Sequence, residues 1–294
     1  MLEGWLTGVG RGRGRHYARR RALWEAALRL LYAGDWPARA WARWPGATRV
    51  RVVRHALRLP LRAPLRVAFA SDLHLGPTTP DALLDRAFAR LEEAAPDVLL
   101  LGGDYVFLDA TAARARRLGE LVRAVPARTK LAVLGNHDLW TRHDRLERAL
   151  GHAGAEVLVN RAVRLPPPHH EVALVGLDDP WTGAPDAARA LAGAAGARVI
   201  LGLAHAPDAV LLLAAHTPRV DLLFCGHTHG GQIALPGGRA LVVPGRAGKR
   251  WPWGLHATPG GGRLFVSRGL GGIELPVRTW APPDVAVFDL LPHG

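Results

Sequence analysis

65-LRVAFASDLHLG-76 joins six mostly apolar residues to a polar turn that carries Asp72 and His74. A short apolar run bounded by such a turn predicts a buried β-strand, here Leu65–Ala70. Five further segments have the same form, and we predict strands at Val98–Leu101, Leu131–Leu134, Val172–Leu177, Val199–Leu203 and Leu222–Cys225. The segments between them predict helices at about 80–94, 111–124, 141–150, 185–195 and 207–214. This alternation is typical of an α/β fold.

The carboxyl-terminal part of the chain changes character after about Ile233. Glycine and proline punctuate short apolar runs there, and we predict strands at Ala240–Val243, Leu264–Ser267 and Val285–Leu290 with no further helices. An α/β region followed by a β-rich end predicts sheets packed together and covered by helices. At 294 residues and 49% hydrophobic composition, the chain can bury a substantial core in one or two domains. Its single cysteine excludes an intramolecular disulfide.

Positive charge is concentrated near the amino terminus. Residues 1–66 contain 15 arginines and no lysine against 3 acidic residues, a net charge of +12 out of a total of +13. Five of the ten tryptophans also lie there. We therefore predict a basic amphipathic helical arm over residues 1–48 and a catalytic domain over residues 49–294. Such an arm indicates an anionic partner, either a membrane surface or nucleic acid.

A helix is predicted within the arm, over 15-RHYARRRALWEAALRLLYA-33. Its uncharged runs are far shorter than the roughly 20 residues that a transmembrane helix needs. We predict that this helix lies in a membrane interface, with contacts from Arg19, Arg20, Trp24, Leu28 and Leu31. Three other interpretations stay open: a surface helix packed on the domain, a nucleic-acid-binding arm and a twin-arginine export signal. The membrane interpretation implies a cytoplasmic, peripheral membrane protein.

Nitrogen and oxygen ligands follow five of the predicted strands. In chain order they are Asp72 and His74, Asp104, Asn136, His205, and His227 and His229. Because the carboxyl ends of strands in an open α/β sheet meet at one edge, we expect these side chains to converge. Carboxylates, an amide and imidazoles without a thiolate suit Mn, Fe, Zn or Mg. Seven ligands exceed one ordinary site, so the pattern predicts two divalent metal ions that share a carboxylate.

These motifs resemble those of the calcineurin-like metallophosphoesterase superfamily. The series is D-x-H at 72–74, G-D at 103–104, G-N-H-D at 135–138, a histidine at 205 and G-H-T-H at 226–229. More narrowly, similarity to the YkuE/YaeI-type branch extends over 71-SDLHLG-76, 103-GDYV-106, 226-GHTHGGQIALP-236, 267-SRGLGG-272 and 275-LPVRTWAPPDVAVFDL-290. The resemblance implies an α/β (α+β) fold, a four-layer αββα sandwich with a dinuclear centre at one edge.

The resemblance also implies roles for individual residues. One metal ion would be held by Asp72, His74, Asp104 and His229. The other would be held by Asp104, Asn136, His205 and His227, with Asp104 as the bridge and Mn as the expected metal. His137 would contact a phosphate oxygen and protonate the leaving group, and Asp138 would steer its imidazole. The implied reaction is hydrolysis of a phosphoester or pyrophosphate by a hydroxide that bridges the two ions.

The substrate is a further question, because it depends on the walls of the site. The basic arm favours a phosphorylated lipid or a cell-envelope phosphate over other phosphorylated small molecules. A UDP-2,3-diacylglucosamine pyrophosphatase of lipid A synthesis, a type that this branch resembles, is the alternative. A nuclease is disfavoured, because the residues after 66 carry only +1 and would not form a basic cleft. A non-catalytic metal-binding scaffold is disfavoured because no motif position is lost.

Two other groups of residues have two interpretations each. Asp178 and Asp179 precede Pro180 and form either a turn or additional acids of the site. Four tryptophans form either walls of a substrate groove or packing contacts, namely Trp140, Trp181, Trp251 and Trp253.

Overall fold

In the computed structural model, which describes residues 18–217 and 219–293, the strand Leu65–Ala70 forms as the sequence predicts. Its alternate residues enter two hydrophobic cores, Val67 and Phe69 on one face and Ala68 and Ala70 on the other. Successive side chains of a strand point to opposite faces of the sheet, so an apolar strand of this kind is buried on both sides. The sheet must therefore lie between two other layers.

Six strands form the sheet that contains this segment. In spatial order they are β1 (Arg51–Leu59), β14 (Asp284–Pro292), β2 (Leu65–Ala70), β3 (Val98–Leu101), β4 (Thr129–Ala132) and β5 (Ala155–Val157). Strands β2 to β5 are parallel, whereas β14 is antiparallel to β2 and parallel to β1. The carboxyl ends of β2, β3 and β4 therefore lie at the same edge.

A second six-stranded sheet packs against the first. In spatial order its strands are β12 (Gly254–Ala257), β13 (Arg263–Val266), β9 (Leu222–Cys225), β8 (Val199–Leu203), β7 (Val172–Gly176) and β6 (Arg161–Arg164). Strands β7, β8, β9 and β13 are parallel, and the two edge strands are antiparallel to their neighbours. A separate hairpin pairs β10 (Ala234–Leu235) with β11 (Arg239–Ala240).

Buried side chains from both sheets form the core between them. Phe69, Phe224, Phe265 and Phe288 meet there with ring centroids 5.0 to 6.5 Å apart. Burial of one such side chain contributes about 1.5–3 kcal/mol. Edge-to-face ring contacts add about 0.5–1.5 kcal/mol for each pair. This aromatic core joins the two sheets.

Helices cover the outer surface of each sheet. The first sheet carries α3 (Asp81–Glu93), α4 (Ala112–Ala124) and α6 (His143–His152), and the second carries α7 (Ala187–Ala192), α8 (Ala209–Ala214) and α9 (Arg246–Arg250). The short helix α5 (Asn136–Leu139) follows β4 at the sheet edge. Helix, sheet, sheet and helix form the four layers of an αββα sandwich, which confirms the predicted fold class.

The sequence predictions differ from the structure at several boundaries. Strand β4 ends at Ala132, two residues before the predicted end, although the Val133 amide still donates to the Leu101 carbonyl at 3.0 Å. The predicted strand at Ala240–Val243 is wrong beyond its first residue, since Val242 is 77% exposed and outside the hairpin. The prediction of no helix after Ile233 is also wrong, because α9 forms at Arg246–Arg250. Strand β1 was not predicted.

The described part of the arm packs on the domain. Helix α1 (Ala18–Leu31) and helix α2 (Trp36–Trp41) are joined by a 3₁₀ turn at Ala33–Asp35. Leu28 is buried against Phe107 and Leu108, which corrects its predicted contact with a membrane.

Polar contacts also fix the arm to the domain. The Nε atom of Arg29 lies 2.7 Å from Asp109 Oδ2, and the Tyr32 hydroxyl donates to the Glu274 carbonyl at 2.6 Å. Trp24 and Leu31 are exposed, at 50% and 61%, so their predicted membrane contacts stay predictions. The side chains of Arg19 and Arg20 lie outside the described residues.

Candidate metal centre

The seven predicted ligands converge at one edge of the two sheets. They stand in the segments that follow β2, β3, β4, β8 and β9, where Asn136 is the first residue of α5 and His229 begins a 3₁₀ turn. Six of them form two groups whose ligand atoms lie within 4.8 Å of one another: Asp72, His74 and His229 in the first group, and Asp104, His205 and His227 in the second. All six side chains are buried. Each group thus takes ligands from the strand ends of both sheets, as expected from the parallel strand order.

Asp104 connects the two groups. Its Oδ2 atom lies 3.2 Å from His205 Nε2 in its own group and 3.6 Å from His74 Nε2 in the other. Asn136, the seventh predicted ligand, places Oδ1 3.2 Å from His205 Nε2 on the side of the second group. One carboxylate oxygen between two sets of imidazoles is the arrangement in which two cations share a ligand.

The imidazole nitrogens face each other within each group. His74 Nε2 lies 3.1 Å from His229 Nε2, and His205 Nε2 lies 3.2 Å from His227 Nδ1. One shared proton could join each pair in an N–H···N hydrogen bond, but within the described residues His227 Nε2 and His74 Nδ1 are buried without a partner, and lone pairs directed at one point can instead bind a cation. The donor set combines carboxylate oxygen, amide oxygen and imidazole nitrogen, which fits divalent first-row metals. The residues present therefore fit two divalent metal ions.

Burial keeps most of these imidazoles neutral. It lowers the pKa of His74 to about 4 and, together with the neighbouring His205, lowers the pKa of His227 to about 3. The pKa of His229 is held well below its usual value by burial and by His74. A neutral imidazole has the free lone pair that a metal ligand needs. The first group is thus ready to bind a cation at neutral pH.

The second group contains an ion pair. Burial alone would raise the pKa of Asp104, but His205, His137 and His74 together outweigh burial and hold this pKa well below the usual value. Burial alone would lower the pKa of His205, but the Asp104 carboxylate raises it well above the usual value. The His205 Nδ1 atom lies 2.8 Å from the Gly102 carbonyl, which leaves Nε2 directed at the group. A hydrogen bond of this kind fixes the ring orientation of metal-binding histidines.

The backbone of the ligand loops is strained. Five ligands have positive φ angles: Asp72 (56°), His74 (44°), Asp104 (54°), His227 (70°) and His229 (53°). A non-glycine residue in this region costs about 1–3 kcal/mol, and such residues cluster at functional sites. Close packing around the ligands requires glycine at Gly135 and Gly226, where an added Cβ would lie 2.2 Å from an oxygen of Asp104 and of Asp72, respectively. The surrounding fold therefore holds the ligands against this strain.

His137 lies beside the two groups and belongs to neither. Its main-chain amide donates to Asp104 Oδ1 at 2.8 Å, and its ring lies 5.0 Å from that of His74 and 4.6 Å from that of Trp140. The side chain is partly exposed, unlike the buried ligands. This position suits a residue that meets a substrate at the edge of the centre.

Asp138 is buried behind this loop. Its Oδ2 accepts from the Gly135 amide at 3.0 Å and its Oδ1 accepts from the Tyr105 amide at 2.8 Å. The carboxylate thus ties the loop after β4 to the loop after β3, and burial raises its pKa to about 8. Steering of the His137 imidazole by Asp138 stays a prediction. The hydrogen bonds from the Gly135 and Tyr105 amides link Asp138 to the main chain of the two ligand loops.

Three further residues at the centre were missed or left open by the sequence. The Trp181 ring lies 4.6 Å from the His227 ring, so this tryptophan belongs to the wall of the site. Asp179 accepts from the Thr182 amide at 2.7 Å and forms the turn that carries Trp181. Arg278 donates to the His229 carbonyl at 2.9 Å from a loop 49 residues away. No local sequence pattern identifies such an arginine.

Trp251, one of the four tryptophans with two interpretations, is buried in the core on the outer side of the second sheet and makes packing contacts there.

A four-layer αββα sandwich with two neighbouring metal-binding groups at one edge is the architecture of a metal-dependent phosphoesterase. The chain belongs to the calcineurin-like phosphoesterase family, which residues 65–231 match. This membership confirms the family resemblance and makes the chain a metal-dependent hydrolase of phosphoric esters.

Three curated proteins show the range of its relatives. The chain is 33% identical to phosphodiesterase YaeI of Escherichia coli (strain K12) over 78% of this chain and 83% of that protein. It is 30% identical to the uncharacterized metallophosphoesterase YkuE of Bacillus subtilis (strain 168), over 75% and 77%. It is 32% identical to the UDP-2,3-diacylglucosamine pyrophosphatase LpxG of Chlamydia trachomatis serovar D, over 40% and 36%.

No helix within residues 18–217 and 219–293 combines the length and the apolar character needed to cross a bilayer.

Proposed function

We propose that the chain hydrolyses a phosphoester or pyrophosphate with two divalent metal ions, of which Mn²⁺ is the expected species. Asp72, His74, Asp104 and His229 would hold one ion. Asp104, Asn136, His205 and His227 would hold the other. The observation that carries this assignment is the position of Asp104 Oδ2 between His74 and His205. When bound, two such ions polarise a phosphoryl oxygen and make water a nucleophile at neutral pH.

His137 would donate a proton to the leaving oxygen of the substrate. Its partly exposed ring at the edge of the two groups is within reach of a phosphate bound there. Asp104 and Asp138 would position it through the main chain, because they bind the amides of His137 and Gly135. General acid catalysis of this kind contributes about 10²- to 10⁴-fold.

A phosphorylated lipid or cell-envelope compound is the proposed substrate class. Four large apolar side chains of α1 are exposed: Leu23 (72%), Trp24 (50%), Leu30 (82%) and Leu31 (61%). Together with the +12 charge of residues 1–66, they support docking of the arm, residues 1–48, on an anionic membrane. The protein would then be a peripheral membrane protein whose domain, residues 49–294, acts at the lipid surface. The relative LpxG, by its name, acts on a lipid pyrophosphate, which supports a UDP-2,3-diacylglucosamine pyrophosphatase as the second candidate.

A substrate panel with Mn²⁺ tests the proposal. The panel contains an aryl phosphodiester, an aryl phosphomonoester, a nucleoside diphosphate lipid and single-stranded DNA. We expect hydrolysis of the diester or the lipid that is lost on removal of metal and in Asp104→Asn. Asp144→Asn, which changes a partly exposed carboxylate on α6 away from the metal centre, is the matched control. Hydrolysis of DNA in preference to every other substrate would support a nuclease instead, and metal-independent turnover would refute the mechanism.

A further inference from the structure

A cavity that no predicted metal ligand lines opens beside the arm. Its volume is about 1050 Å³. Part of its wall comes from α3, part from the segment 46–51 that links the arm to β1, and part from the loop between β13 and β14. A volume near 1000 Å³ is that of a site for an organic ligand rather than for a single ion.

Arginines dominate the charged lining of this cavity. There are six of them: Arg49, Arg51, Arg86, Arg90, Arg268 and Arg278. The only acidic side chain in the lining is Glu93, which lies 2.6 Å from Arg90 Nη1 and is occupied by that pair. Within the described part of the chain, Arg49, Arg51 and Arg86 form no ion pair. Uncompensated positive charges around a concave surface concentrate anions there.

Arg268 distinguishes this cavity from an ordinary solvated basic surface. It is only 8% exposed, and its guanidinium carbon lies 3.6 Å from the centroid of the Trp253 ring. Its nearest carboxylate oxygen, Asp284 Oδ2, is 3.4 Å from Nη1, and among the described residues its Nε has no acceptor. Buried donors in native proteins are nearly always hydrogen-bonded, so this nitrogen calls for an acceptor. An oxygen of a bound anion would supply one.

The remaining lining is apolar and aromatic. Trp41, Trp253 and Trp280 contribute rings, and Leu83 and Leu270 contribute aliphatic surface. Trp280 is 62% exposed although it is large and apolar. Exposed aromatic surface next to arginines suits a ligand with both a charged and an apolar part.

We propose that this cavity is a binding site for a phosphate-bearing amphiphile. Arg49, Arg51, Arg86 and the buried Arg268 hold the phosphate, and Trp41, Trp253 and Trp280 contact the apolar part. The ligand is either a membrane phospholipid, reached through the adjacent arm, or a soluble phosphorylated amphiphile. The site does not depend on bound metal, so it stands or falls separately from the proposed hydrolase mechanism.

Calorimetric titration of the full chain in excess EDTA tests the proposal. The probes are dihexanoyl phosphatidic acid below its micelle concentration and inorganic phosphate. We expect the lipid to bind at least tenfold more tightly than phosphate. Replacing Arg49, Arg51 and Arg86 with alanine should weaken lipid binding at least tenfold. The matched control replaces three exposed arginines without ion pairs in the described structure, Arg116, Arg123 and Arg198, and should change the affinity less than twofold.

Trp280→Ala tests the apolar half of the site. It should weaken lipid binding at least threefold and leave phosphate binding unchanged. Equal affinities for lipid and phosphate would overturn the amphiphile proposal, as would equal losses in the two triple variants or no lipid binding at millimolar concentration. Binding to vesicles that contain phosphatidic acid, with the same dependence on Arg49, Arg51 and Arg86, would identify a membrane lipid as the source. Binding of the monomeric lipid alone would identify a soluble ligand.

Discussion

The guanidinium of Arg278 donates through Nη2 to the main-chain carbonyl of His229 at 2.9 Å. It also donates to the carbonyls of Arg268, Gly271 and Ala281, and its Nη1 lies 3.4 Å from His229 Nδ1. Burial lowers the pKa of Arg278 to about 10, so it remains charged at neutral pH. One side chain thus joins the loop of a predicted ligand to the loop between β13 and β14.

Arg278→Lys should weaken metal binding while it keeps the positive charge. Lysine presents its donors from a single atom and cannot reproduce the planar fork of a guanidinium. Loss of a residue that orients a ligand typically costs about 10- to 100-fold in metal affinity. Titration with Mn²⁺ should show this loss for one of two sites, with Arg148→Lys on α6 as the control. An unchanged affinity for both ions would contradict the positioning role.

Asp104→Asn should remove both metal ions, whereas His229→Ala should remove one. The reason is that Asp104 Oδ2 faces both groups and His229 faces only the first. Elemental analysis after equilibration with Mn²⁺ should give about zero and about one equivalent, respectively, against two for the wild type. Circular dichroism checks that each variant is folded. Two equivalents in a folded Asp104→Asn would show that this carboxylate is not the shared ligand.

His137→Ala should slow the hydrolysis of substrates with poor leaving groups. If the imidazole protonates the leaving oxygen, an alkyl ester depends on it far more than a nitrophenyl ester does. We expect kcat to fall about 10²- to 10⁴-fold for the alkyl ester, with little change in KM. His152→Ala, at the exposed carboxyl end of α6, is the control. Equal losses for both esters would instead indicate a role in binding or in metal placement.

His55→Phe should reduce the pH dependence of stability. His55 packs between Phe265 and Phe288, with ring centroids 5.7 and 4.8 Å away, and burial lowers its pKa from 6.5. His55 therefore binds a proton more readily in the unfolded chain than in the folded one. Its contribution to the free energy of unfolding is complete above about pH 6.5 and declines as the pH falls below that value.

Phenylalanine keeps the packing and removes this proton. Urea unfolding at pH 8 and pH 5.5 should show a smaller drop in the free energy of unfolding for His55→Phe than for the wild type. Replacement of the exposed His216 is the control for loss of a histidine. The same drop in both proteins would exclude His55 as its source.

Substitutions at buried and at exposed positions of the arm should have separate effects on stability and on membrane binding. Leu28→Ala removes a buried side chain and should destabilise the protein by about 2–5 kcal/mol, with the lower value if the neighbouring side chains fill the space. Leu31→Ala combined with Trp24→Ala changes exposed side chains and should alter stability by only about 1 kcal/mol, yet weaken binding to anionic vesicles about tenfold or more. Thermal unfolding and vesicle sedimentation measure the two effects. Vesicle binding that survives loss of Trp24 and Leu31 would count against the membrane interface.

Much of the fold and the candidate site could be read from local pattern. The strands Leu65–Ala70, Val98–Leu101, Val199–Leu203 and Leu222–Cys225 have the bounds that the sequence predicts, because each is buried on both faces and ends at a polar turn. Strand β1 escaped prediction because it is half-exposed and gains its neighbour, β14, from the far end of the chain.

The sequence by itself determined which side chains are available as ligands and that they follow buried strands of an α/β fold, since burial and turns are encoded locally; the αββα sandwich was implied by the family resemblance. The family resemblance implies how the ligands divide around Asp104, whereas only the tertiary structure decided the distances, which place Asp104 Oδ2 3.2 Å from His205 Nε2 and 3.6 Å from His74 Nε2. The tertiary structure also placed Trp181 beside His227 and Arg278 beside His229, and it buried Leu28 in the domain instead of leaving it at a surface. The physical reason is that these contacts join loops far apart in the chain, and only the packing of the two sheets brings those loops together.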